Sequence, residues 1–148
     1  MHVRITIGSV FINADGDSQN MVVTEEAEVT IAPGEEKASV DVKAACIDMS
    51  KHVPSSGVGL ALSHESVRHK KEVVAVIKAA NKGDHDPLAR QMAIWIVRSD
   101  PADMTEMPYI SGAYEISASR EVQQGRIDEA RTILKEAGLD PSNYRIYQ

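Results

Sequence analysis

The chain has a single thiol, Cys46, among its 148 residues. An internal disulfide framework and any zinc site built from several thiolates are therefore excluded. Taken alone, such a thiol is a small buried hydrophobe with a weak S–H donor. Three arrangements of His, Asp and Glu have to be weighed as metal sites. His64 and His69 flank Glu65-Ser66-Val67-Arg68 in a run that imitates a zinc-protease helix, but they stand five apart. Five helical residues turn the second imidazole about 140° away from the first, so both read as solvated residues at a helix start. Asp15-Gly16-Asp17-Ser18-Gln19, with Glu26 in twelfth place, imitates a calcium loop. Both of its flanks alternate with period two where flanking helices are needed, so a hairpin turn is the better account. Cys46, Met49 and His52 are the ligand types of a blue-copper site, whose second histidine would have to be His2 near the terminus. No metal and no cofactor are expected.

A pair of short motifs is more specific. Ala45-Cys46-Ile47-Asp48 lies where a strand runs out, and Arg90-Gln91-Met92-Ala93-Ile94-Trp95 lies within a helix. Together they resemble the two signature motifs of bacterial thioester domains, the TQXA-type domains of surface proteins. The resemblance covers these motifs and the order of the lobes; Ala45 stands where an aromatic residue or Leu is usual, and Arg90 where Thr is frequent. It implies an internal thioester between Cys46 and Gln91. Such a domain captures an amine-bearing protein or surface ligand covalently and without turnover, outside the cell or on its surface. A thiolate attacking a glutamine carboxamide releases ammonia and leaves an acyl–sulfur bond that an amine can open to a stable amide. The bond survives only where water is kept out, and on a helix Gln91 is flanked by Leu88, Ile94 and Trp95. Asp48 belongs to the same motif. His52, in the loop after Cys46, is a candidate base for an incoming amine and reads equally as a solvated loop residue. The alternative reading is a non-catalytic structural or protein-interaction domain, with Cys46 a buried free thiol and Gln91 a polar residue at the edge of its helix. An enzyme ranks below both, because no Ser-His-Asp set, paired acid–base carboxylates or phosphate-cradling glycine loop is present.

The elements that must position these residues fall into two halves. Val3, Ile5 and Ile7 alternate with polar neighbours, as do Val29 and Ile31, and short apolar runs follow at Val10–Ile12, Met21–Val23 and Ser39–Val42. These read as strands separated by turns rich in Asp, Gly, Ser and Pro. After about Ser63 the period becomes helical. Val73, Val74, Ile77 and Ala80 share a face before Gly83, and Asp86-Pro87 opens a second helix that carries Leu88, Met92, Trp95 and Ile96 and ends near Arg98. A third helix runs from about Ile127 to Ala137, stopped by Gly138 with Leu134 and Leu139 meeting across the cap. Tyr109, Ile110, Tyr114 and Ile116 argue for order in the stretch before it. The fold class expected is α+β, a small antiparallel β-sandwich lobe at 1–62 followed by a packed helical lobe at 63–148. Trp95, Met92, Leu88, Val73 and Ile77 should be buried between them.

Sixteen Lys and Arg against twenty-two Asp and Glu leave a net charge of −6. A phosphate backbone requires the opposite field, so nucleic acid is excluded as a partner. No apolar run reaches the roughly 20 residues of a membrane span, and the start lacks a positive region and a small-residue cleavage site. Oligomeric state leaves no mark in the residues.

Overall fold

The computed structural model describes residues 1–14, 16–52, 54, 59–107 and 120–148. Asp15, most of the loop that follows His52, and Tyr109, Ile110, Tyr114 and Ile116 lie outside the described residues. Six strands come first: β1 (His2–Ile5), β2 (Val10–Asn13), β3 (Met21–Val23), β4 (Ala27–Thr30), β5 (Ala44–Cys46) and β6 (Leu60–Leu62). Among the described residues three α-helices follow, α1 (Lys70–Lys82), α2 (Pro87–Ser99) and α3 (Arg120–Glu136). The class is α+β. β1 and β4 pair with each other, and the remaining strands form an antiparallel sheet in the order β5-β3-β2-β6, both sheets remaining open.

The alternation in β1 has a modest origin. Val3 and Ile5 are only half-buried, and the pair with β4 is laced on its polar face by Arg4 between Glu26 at 2.6 Å and Glu28 at 3.6 Å. Gly8 then turns the chain into the larger sheet with φ +90°, and a Cβ there would come within 2.7 Å of Val74 Cγ2 on α1. Only glycine permits that approach. The Asp17-rich stretch that imitates a calcium loop joins β2 to β3 as the connection of an antiparallel pair, in keeping with the period-two flanks. His64 and His69 precede α1, with His69 at its N-cap in the left-handed region.

One strand expectation needs correction, and one strand was not foreseen. Ser39–Val42 carries no strand; the pairing falls on β5, because Val22 and Val23 stand opposite Ala45 and Ala44 in register and leave the exposed 39–41 stretch beyond the end of β3. β6 was not expected from the pattern. Its Leu60, Ala61 and Leu62 are all exposed, and the strand exists because the edge of β2 supplies partners for it.

The core lies between the larger sheet and the helices. Val10, Val22, Cys46 and Ile47 meet Val73, Val76 and Ile77 of α1, Met92 to Val97 of α2, and Ile127, Ile133 and Leu134 of α3. Six consecutive buried residues in α2 mean that it is enclosed on all sides, by α1, α3 and β5. Its start is held as the Asp86-Pro87 pair predicts: Asp86 Oδ1 accepts from Leu88 N–H at 2.8 Å and from Ala89 N–H at 3.3 Å. Beside it, His85 sits between Glu129 at 3.1 Å and Glu136 at 2.9 Å, which ties the α2 entry to α3. The hydrogen bond to Glu136, ahead of the one to Glu129, raises its pKa against the opposing effect of burial. At the end of α3, Leu139 N–H bonds to Leu134 C=O and Gly138 N–H to Lys135 C=O, each at 3.0 Å, with Gly138 at φ +79°. This is the stop expected of Gly138. The tail docks rather than pairing as a strand: Tyr147 Oη donates to Ile127 C=O at 2.8 Å.

Candidate functional site

β5 is the outermost strand of its sheet, so half of its backbone groups face away from any strand. Alternation in an antiparallel pair decides which half. Thr24 N–H donates to Lys43 C=O at 2.9 Å and Ile47 N–H to Asn20 C=O at 3.1 Å, so residues 43, 45 and 47 are turned toward β3. Val23, opposite Ala44, spends its own N–H on Ser9 and its C=O on Gly8. Ala44 and Cys46 therefore direct their N–H and C=O outward.

Gln91 takes the Cys46 pair. Cys46 N–H donates to Gln91 Oε1 at 3.0 Å, and Gln91 Nε2–H donates to Cys46 C=O at 2.7 Å, across 45 residues of sequence. A carboxamide is the side chain that offers a donor and an acceptor in one plane, so here it replaces the peptide group of a missing neighbour strand. α2 can deliver it because the burial of Met92 to Val97 holds that helix rigidly against β5.

Two turns further along α2, Arg98 approaches Asp48 at 3.7 Å, and Asp48 Oδ2 accepts from Asn20 N–H at 3.0 Å. Helix and strand end are thus joined at two points, Gln91 to Cys46 and Arg98 to Asp48. Sequence reasoning missed Arg98 and Asn20. The seven-residue step from Gln91 to Arg98, which puts both on one helical face, was the available signal.

The Cys46 thiol is buried, and burial first and the Asp48 carboxylate second push its pKa up to about 11. Near neutral pH it is a protonated thiol. Asp48→Asn should lower the midpoint of thiolate absorbance on the chain with its thiol free, leaving the burial contribution in place. An unchanged midpoint would show that the thiol does not feel the Asp48 charge.

The remaining expected residues divide. Trp95, Met92, Val73 and Ile77 are buried as anticipated, and Ile94 is buried beside them. Leu88 is only half-buried, whereas its neighbour Ala89 on the same first turn of α2 faces the core. Ile94 borders a groove of about 550 Å³ between β5 and the two helices α1 and α2. Gln91 also lines that groove, whereas Trp95 and Leu88 do not. His52 is exposed; its backbone C=O accepts from Gln19 N–H at 2.7 Å, and no hydrogen bond joins its ring to Cys46 or Gln91. Among the described residues no three His, Cys, Asp or Glu side chains converge as a metal would require.

Comparison of the chain with protein-family models, with curated proteins and with solved structures finds no match.

Proposed function

We propose that the chain is a thioester-type capture domain in which Cys46 and Gln91 form an internal acyl–sulfur bond. The observation that carries this reading is the seating of the Gln91 carboxamide on Cys46, which brings together the two residues the chemistry requires. Cys46 Sγ, losing its proton, attacks the carboxamide carbon of Gln91. The C–N bond breaks, the nitrogen leaves as ammonia with that proton, and a neutral thioester remains. An incoming primary amine then adds to the same carbon, the C–S bond breaks, and sulfur takes the electron pair and the amine's proton to become a thiol again. A stable amide links the partner to Gln91. Burial of Cys46 supports the reading, since it keeps water from the sulfur side of the bond. The partner is an amine-bearing protein or surface ligand met once and kept, and the setting is extracellular or on the cell surface. No helix among the described residues is long and apolar enough to cross a membrane.

One observation favours the second reading, a structural or interaction domain with a free thiol. Both polar atoms of the Gln91 carboxamide are satisfied by the Cys46 backbone, which is sufficient reason for a glutamine there. Intact mass separates the two. Fresh protein should weigh about 17 Da less than its sequence, the mass of one ammonia, and methylamine should add to it and free the thiol. Cys46→Ala should abolish both effects. Full sequence mass, indifference to methylamine and ready alkylation on unfolding would establish the free thiol instead.

A further inference from the structure

The edge of β5 that Gln91 seals at Cys46 is open one step earlier. Ala44 directs its N–H and C=O to the same side, and neither has a hydrogen-bond partner among the described residues. Ala44 lines the groove that Gln91 also lines, while Cys46 does not. The acyl carbon of the proposed thioester belongs to Gln91, so an amine reaches it from this groove.

From this edge we infer that the captured amine is a lysine side chain carried on an extended peptide, which adds as a further strand to β5 at Ala44. The inference rests on the thioester reading and specifies its acceptor. A free donor and acceptor on one residue of an edge strand are what an added strand satisfies. Gln91, bonded through its acyl carbon, occupies the next outward position, so the added strand stops beside it. Outward positions on a strand are about 6.6 Å apart, close to the reach of an extended lysine stem. Val42, Ile77, Ala80 and Ile94 give that stem an apolar wall. Glu25 at the rim, now receiving Lys43 Nζ at 3.0 Å, provides a carboxylate for the arriving ammonium.

The test compares rates of covalent addition, read by intact mass, for methylamine and for the peptide acetyl-Val-Thr-Lys-Val-Thr-amide at equal concentration and pH. The peptide should add at least about tenfold faster, since docking raises the local amine concentration. Ala44→Pro removes the outward N–H without removing a bond to β3, and should bring the ratio of the peptide rate to the methylamine rate, both measured on the variant, down to about one. Methylating every backbone nitrogen of the peptide should have the same effect with the protein untouched, so the test does not depend on how Ala44→Pro folds. Addition of the peptide no faster than methylamine, or insensitivity to backbone methylation, would overturn strand addition while leaving the thioester intact. Absence of any methylamine adduct would overturn the thioester itself.

Discussion

Gln91→Glu should destabilise the fold by about 2–4 kcal/mol near neutral pH, although the two side chains have the same shape. The carboxylate can still accept from Cys46 N–H, but it has no hydrogen for Cys46 C=O. Two oxygens would then face each other where a hydrogen bond of 2.7 Å now stands. The charge is also placed against buried Cys46, partly out of water. Protonation repairs the pair, because a carboxylic acid can donate to the carbonyl. The Glu carboxyl of the folded variant therefore has a raised pKa. Its destabilisation should be absent well below the ordinary glutamate range and should grow as pH rises toward the folded-state value. Urea unfolding midpoints across that range measure it, with Gln91→Met as a comparator that loses both hydrogen bonds without gaining a charge. A cost below about 0.5 kcal/mol at neutral pH would show that the carboxamide does not hold β5. The same variant should show no ammonia deficit, because its side chain has no ammonia to release.

How much of this arrangement the residues announced depends on whether local or distant forces decide each element. The start of α2 was legible because Asp86 and Pro87 act on the first turn alone, and the end of α3 because Gly138 and Leu139 complete a local pattern. β5 was not. Ala44 and Ala45 have little strand preference, and they pair because Val22 and Val23 are buried beside them and Gln91 closes the far edge. The more β-branched Ser39–Val42 run was favoured by local preference but lacks a neighbour. At the site, the motif pair suggested that Gln91 meets the Cys46 thiol, and hydrogen bonds join Gln91 to the Cys46 backbone. It could not suggest that they meet through the Cys46 backbone, since this follows from β5 being outermost, a property of the whole sheet.

Trp95→Ala should be the costliest single truncation, at about 3–5 kcal/mol against a typical total of about 5–15 kcal/mol for a small domain. The indole is 2% exposed and lies within six consecutive buried residues. The helix that carries it packs against α1, α3 and β5, each anchored by its own contacts, so the space left behind closes only in part and most of the cavity cost remains. Leu88→Ala, on the half-buried first turn, should cost clearly less. Denaturant midpoints at unchanged m-value measure both. A Trp95→Ala cost under about 1 kcal/mol would mean that the indole does not fill the core and would turn attention to it as a binding residue. The effect should also reach the site, because Trp95 follows Gln91 by one helical turn and anchors the helix that carries it. Combined with Gln91→Glu, the loss should fall short of the sum of the two. An α2 loosened at Trp95 no longer presses residue 91 onto Cys46, so part of the second penalty has already been relieved.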